Sequence, residues 1–219
     1  MSGADDTTAP IDPEVLGTLA DAGVAAVYEA SGRRGLVDAD LTQIVPGTRV
    51  AGPARTVRCG QDDNRAVHEA MTRLRPGEVL VLTMPEPAPV ALVGELLATQ
   101  AKVAGAVGVL VDASVRDADE LRDLGLPIWA RWVRVRGATK RERGELDIPV
   151  RVGGATVNPG DVVVLDADGA VVVARENVAE VAAATTARLA KEAGLRARLE
   201  AGELSYDLHG MRAEDESAG

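Results

Sequence analysis

The 219-residue chain has no phenylalanine, two tryptophans, two tyrosines, two histidines and one cysteine. Each scarcity excludes something. So few aromatic rings leave no platform on which single-stranded bases could stack, and the core has to be built from Val, Leu, Ile and Ala. A lone cysteine, Cys59, cannot close an internal disulfide, which fits a reducing, cytoplasmic setting. The two histidines, His68 and His209, lie far apart in the chain and cannot supply a multi-histidine zinc site, so a metal here is expected to be hard and oxygen-bound. Basic charge is also short: 24 Lys and Arg stand against 34 Asp and Glu, a formal net charge of −10. A field of that sign repels nucleic acid and anionic membranes, and neither is expected as a partner. The longest uncharged stretch near the centre, Val103 to Val111, is about half of the ~18 residues a bilayer span needs. Asp5 and Asp6 stand where a signal peptide would be basic. There is no Walker A loop and no G-x-G-x-x-G.

What remains, 46% hydrophobic and 26% charged, is the composition of a packed globular chain rather than a disordered one. Pro13 to Ala30 places apolar residues three to four apart and predicts one or two short helices broken at Gly23. Pro46 to Cys59 is a strand region, Asn64 to Leu74 a helix with Asn64 as its N-cap, and Glu78 to Thr83 a buried strand. Gly94 to Ala104 reads as a helix, Val107 to Val111 as a buried strand, Asp117 to Leu124 as a short helix closed by Gly125, and Pro127 to Val133 as another strand. Residues 148 to 174 hold four Val-rich runs separated by turn residues, which is hairpin spacing. Asn177 to Glu200 is a long Ala-rich helix, too thinly apolar to need only its own domain, and it is expected to dock on a neighbouring subunit.

The segment that invites chemistry runs from Gly94-Glu95-Leu96-Leu97 to Arg116-Asp117-Ala118-Asp119-Glu120. A glycine opening a helix leaves the amides of Glu95, Leu96 and Leu97 facing outward, a seat for a carboxylate. Arg116 forks onto carboxylate or enolate oxygens, and Asp117 supplies one hard metal ligand. A plainer reading stands beside this one: Asp117-x-x-Glu120 is also a capping box, Arg116 also suits a surface pair with Glu120, and Gly94 an ordinary helix start. Cys59 reads as a buried structural thiol, and His68 as a surface or packing residue.

Gly94 to Ala98, followed by Val-Asp-Ala-Ser-Val-Arg-Asp-x-x-Glu at 111 to 120, resembles the signature of the 4-hydroxy-4-methyl-2-oxoglutarate and 4-carboxy-4-hydroxy-2-oxoadipate aldolases. That family shares its fold with the regulator of ribonuclease activity A. Further matching stretches are residues 27–35, Ala51-Gly52-Pro53-Ala54 with Thr56-Val57, Asn158-Pro159-Gly160-Asp161, and the ending Gly202 to Arg212. Ala113 departs from the glycine usual there.

The resemblance implies an α/β fold, a layered β/β/α sandwich of the RraA-like, swivelling-domain type with a C-terminal helical extension. In that picture residues 1–12 are a flexible N-terminus, 13–176 the catalytic domain, 177–212 a helix and tail packing on a neighbour, and 213–219 a disordered tail. It also implies a Mg²⁺- or Mn²⁺-dependent pyruvate aldolase with oxaloacetate decarboxylase side activity, working on a small keto-acid substrate as a homotrimer or homohexamer. Asp117 would ligate the metal and Arg116 stabilise the enolate, while the amides at Glu95, Leu96 and Leu97 hold the carboxylate. Glu95 would bind a metal water, Lys140 would meet the distal carboxylate, and Glu192 would arrive from the adjacent subunit. A non-catalytic, protein-binding regulator of the ribonuclease type is the alternative.

Overall fold

The computed structural model describes residues 10–218. The first elements are α1 (Pro13–Ala22), α2 (Val24–Ala30), β1 (Thr42–Gln43), β2 (Val50–Arg58), α3 (Arg65–Ala70) and β3 (Val79–Thr83). They are followed by β4 (Ala91–Val93), α4 (Glu95–Val103), β5 (Gly108–Val115), α5 (Ala118–Leu124) and β6 (Ile128–Val133). The last third holds β7 (Glu145–Leu146), β8 (Val150–Val152), β9 (Ala155–Val157), β10 (Val162–Asp166), β11 (Gly169–Val173), α6 (Val178–Glu200), α7 (Ser205–Leu208) and α8 (Met211–Ala218). Asp12 caps α1 by accepting the Glu14 N–H, and Gly23, at φ 83°, separates the first two helices. Its backbone geometry is one that side chains avoid, which is why the break falls there.

One nine-stranded sheet runs β1-β6-β5-β3-β2-β10-β11, with β4 added to β5 and β7 to β2. Its centre is parallel (β2, β3, β5, β6), and β10 joins β2 antiparallel. Parallel centres are covered on both faces, and the alternation of β3 shows how. Leu80 and Leu82 belong to a core shared with α3, α4 and α5, while Val79 and Val81 face a second core with Val163, Leu165 and the separate β8–β9 hairpin. Trp129 is fully buried in that second core and donates its indole N–H to the Asp166 carbonyl at 2.8 Å, tying β6 to the far end of β10. The outer face of β10 and β11 packs on α1, α2 and the start of α6. The layered α/β architecture expected from sequence is therefore present, with helices over both outer faces.

Several local expectations need correction. Asn64 is the N-cap residue of α3, its carbonyl accepting the Val67 N–H at 3.0 Å, but its side chain makes no capping bond; the preceding Asp63 accepts the Arg65 N–H at 2.8 Å instead, and the helix proper ends at Ala70, before a turn. The strand β4 escaped the reading because it is three residues long and follows prolines, so it has no measurable period. The long helix also packs on its own chain: Val178, Val181, Ala182 and Thr185 are buried against α1 and α2, and from Thr186 onward no residue of it is buried. Met211–Ala218 is helical where a disordered tail was expected, with Arg212 paired to Asp207 and Tyr206 to Asp215. Residues 1–9 and 219 lie outside the described residues.

Candidate functional site

Parallel pairing of β4 with β5 brings the end of one strand beside the end of the other. Arg116 N–H donates to Val93 O at 3.1 Å, so Gly94 and the start of α4 lie against Arg116 and Asp117. Asp117 has φ 61° and ψ 46°, a left-handed conformation that a short polar side chain tolerates better than most. That twist turns its carboxylate away from α5. Asp117 makes no cap bond to its own helix; its Oδ2 accepts the Glu95 N–H of α4 at 3.0 Å. The capping-box reading is thereby overturned, and the Arg116 partner is Asp117, with Nε 3.6 Å from Oδ2, rather than Glu120.

Gly94 is extended, so its lack of a side chain matters for space rather than for backbone freedom. A Cβ there would lie 2.5 Å from Asp117 Oδ2 and 3.1 Å from Arg116 Nε, and one on Gly137 would lie 3.0 Å from Arg116 Nη1. The guanidinium thus lies close to two glycines. Of the three amides expected to seat a carboxylate, the Glu95 one is taken by Asp117. Those of Leu96 and Leu97 precede the first helical bond of α4, made by Ala98 N–H to Gly94 O. Glu95 itself accepts from Thr99 Oγ1 at 3.2 Å.

The opposite wall of this cleft of about 200 Å³ is formed by Asn64, His68, Ala138 and Lys140. It is pinned by Asp63, which is fully buried and accepts from Thr139 Oγ1 and from the Arg141 N–H, both at 2.5 Å. Burial pushes the Asp63 carboxyl up, but the hydrogen bonds from Thr139, Arg141, Arg65 and Glu142 outweigh it and hold it down at about 2. His68 is held below its usual range by partial burial and by the Lys140 charge, so its ring favours the neutral form. Cys59 is buried and its thiol is pushed up to about 12, by burial first and by the charge of Asp63 second, which removes it as a nucleophile.

The structure therefore gathers Gly94, Glu95, Leu96, Leu97, Arg116, Asp117 and Lys140 into one neighbourhood. It does not bring Glu192 there within the chain; Glu192 pairs with Arg188 on α6 at 2.8 Å. Asn64 and His68 were missed as cleft residues, since their only sequence signal is a helical spacing that does not tell which wall the helix builds. No cluster of three or more His, Cys, Asp or Glu suited to a metal occurs among the described residues, and no helix there is long and apolar enough to cross a membrane.

Residues 17–172 match the RraA-like family model, described as Aldolase/RraA. A Halalkalibacterium halodurans protein provisionally named 4-hydroxy-4-methyl-2-oxoglutarate aldolase is 36% identical over 133 residues, which is 59% of this chain and 63% of that protein, less than two thirds of its length. Among solved structures, Streptomyces coelicolor RraAS2, described as an unusual member of the RNase ES inhibitor RraA protein family, is 31% identical. It superposes with a TM-score of 0.75 over 86% of this chain and 98% of its own. An uncharacterized protein from Pseudomonas syringae pv. tomato is 25% identical, with a TM-score of 0.81 over 93% of this chain and 96% of its own. Matched across most of its folded core, the chain belongs to the RraA-like, Aldolase/RraA family, whose members include proteins named as aldolases and others described as ribonuclease inhibitors.

Proposed function

We propose that this protein is a divalent-metal-dependent, cytoplasmic aldolase. It would cleave 4-hydroxy-4-methyl-2-oxoglutarate or 4-carboxy-4-hydroxy-2-oxoadipate to pyruvate and a second keto acid, and decarboxylate oxaloacetate as a side activity. The observation that carries this reading is the Asp117 carboxylate, turned out of its own helix to face Gly94 and the start of α4, with Arg116 alongside. A protein-binding surface has no need of that arrangement.

The residues present fit a hard dication with a mostly non-protein shell. Asp117 offers one carboxylate, 39% exposed, beside a glycine whose missing Cβ keeps the approach to Oδ2 open. Mg²⁺ or Mn²⁺, when bound, supplies positive charge to the keto and carboxylate oxygens of the substrate. The remaining work falls to the chain. The Leu96 and Leu97 amides and the positive end of α4 hold the keto-acid carboxylate. As the C3–C4 bond breaks, its electron pair passes toward the keto oxygen while the C4 hydroxyl gives up its proton to solvent water and becomes the carbonyl of the second product, and the planar Arg116 fork stabilises the charge that develops on the keto oxygen. Lys140 receives the distal carboxylate. Oxaloacetate loses CO₂ through the same enolate, so Arg116 serves both reactions.

Glu192 enters this scheme from an adjacent copy, in a homotrimer or homohexamer. Support comes from the arm that carries it: a 23-residue helix is about 35 Å long, and its later part and the segment beyond expose Leu189, Leu199, Leu204, Tyr206 and Met211. Helix α4, beside the cleft, exposes Leu96 and Val103. Burying such residues against each other is a driving force for assembly.

The test is a coupled assay of pyruvate release from both 4-hydroxy-2-oxo diacids and from oxaloacetate, with Mg²⁺, with Mn²⁺ and after EDTA. Activity that vanishes on chelation and returns with either ion is the expected outcome. Full activity after exhaustive chelation would remove the metal, and no activity on any of the three would leave the protein-binding regulator as the better account.

A further inference from the structure

Cations are scarce in this chain and unevenly placed. Residues 131–143 hold six of the 24 Lys and Arg (Arg131, Arg134, Arg136, Lys140, Arg141 and Arg143) against one acid, Glu142, in a chain whose formal net charge is −10. The backbone stitches this segment to the cleft. Arg134 N–H donates to the carbonyl of Val115, the residue before Arg116, at 2.9 Å, and Arg136 O accepts the Ala91 N–H at 2.7 Å. Thr139 O accepts the Asn64 N–H at 2.9 Å, and Asp63 holds the Arg141 N–H. Ala138 and Lys140 line the cleft itself. Two of the six charges are spent, Arg131 on Asp112 and Arg136 on Asp62. Arg134, Lys140, Arg141 and Arg143 are exposed and form no ion pair among the described residues. His68, on the same wall, is held below its usual range by partial burial and then by the Lys140 charge, so the field is felt inside the cleft. Like charges left without counter-charges do not stabilise a fold, but around a cleft they raise the local concentration of anions.

We propose that the loop 134–143 is an electrostatic funnel that draws polycarboxylates to the cleft and favours them in proportion to their charge. Under the aldolase reading, on which this inference rests, 4-carboxy-4-hydroxy-2-oxoadipate brings three carboxylates and 4-hydroxy-4-methyl-2-oxoglutarate two, so the funnel favours the first. Arg134, Arg141 and Arg143 act through their summed field and need no contact with the substrate, whichever rotamers they take. Such a field is screened over about 10 Å at 0.1 M salt and about 20 Å at 20 mM. Salt therefore reports on it directly.

The test changes Arg134, Arg141 and Arg143 together, once to Gln and once to Lys, and measures kcat/KM at saturating Mg²⁺ in about 20 mM and about 300 mM KCl. At the lower salt the Gln variant should lose about tenfold or more on the tricarboxylate and severalfold less on the dicarboxylate, through KM, with kcat within about twofold. At the higher salt the loss should shrink to about threefold or less. The Lys variant keeps the charge and should match wild type. Equal losses on both substrates, losses that salt does not change, or a Lys variant as impaired as the Gln variant would overturn the proposal. A second measurement needs no turnover: calorimetric titration with tricarballylate and with glutarate in the lower salt. Wild type should bind the tricarboxylate more tightly and the Gln variant should lose most of that margin, and an unchanged margin would overturn the proposal. Wild-type protein that releases pyruvate from no substrate sinks the aldolase reading, whereas normal cleavage with a salt-independent loss in the Gln variant sinks only the funnel.

Discussion

The groove between α1 and β2, lined by Ile11, Leu16, Ala51, Pro53 and Val107, encloses about 800 Å³, against about 200 Å³ for the cleft at Gly94. Size alone would favour the groove. Its central charges, however, are consumed by one another: Arg55 holds Glu78 at 2.7 Å and also pairs with Asp147, with the Arg55 and Glu78 side chains each 12% exposed. In the cleft Arg116 and Asp117 are 49% and 39% exposed and stand 3.6 Å apart, too far for a good hydrogen bond. Charges that satisfy each other hold a fold together. Charges kept close yet incompletely paired remain available to a ligand.

That contrast can be broken most sharply at Arg116. Arg116→Lys keeps the charge but loses the planar fork, and should cost kcat about 100-fold or more with an unchanged Tm. A variant as active as wild type would return Arg116 to the status of a surface charge. Gly94→Ala comes next. The added methyl meets Asp117 Oδ2 at 2.5 Å and must displace it, so pyruvate release should fall about tenfold or more with little change in the circular-dichroism melt. Retained activity would mean that the position of Asp117 is not critical.

The groove should respond in the opposite sense. Arg55→Ala leaves Glu78 and Asp147 without their shared cation, and should lower stability by about 1–3 kcal/mol in urea titration while kcat is unchanged. A loss of activity at full stability would give the groove a function and erase the distinction drawn above. The smallest effect is expected at Asp63, whose folded carboxyl lies at about 2 rather than 3.8. A depressed pKa stabilises the fold fully above the unfolded value, and that contribution is lost as pH falls through the folded one. Unfolding titrations from pH 5 to pH 2 should therefore show a slope that Asp63→Asn weakens, and an identical slope in the variant would remove the Asp63 clasp as its source.

Much of this molecule was legible before its structure. The break at Gly23, the helix from Glu95, the buried strand through Val111 and the hairpins after 148 all follow from local periodicity and turn residues. Arg116 and Asp117 were visible as a pair because they are adjacent in the chain. Asn64 was legible only as a cap, a position it holds while its neighbour Asp63 makes the side-chain bond. That α6 also anchors on its own chain was not legible, because four buried positions in its first half, Val178, Val181, Ala182 and Thr185, are enough to hold it, and a thin stripe does not say which surface receives it.

The sequence by itself determined the order of helices and strands, an aliphatic core, the negative charge and the contiguous Arg-Asp pair, since each depends on residues close together in the chain or on composition. Only the tertiary structure decided that Asp117 faces α4 rather than α5, that Asn64 spends its amide on Leu92 28 residues away, and that Thr139 closes on Asp63 across 76 residues. Those choices rest on which strands lie side by side and on which buried polar atoms lie within bonding distance. Local periodicity records that a face is buried, but not what lies against it.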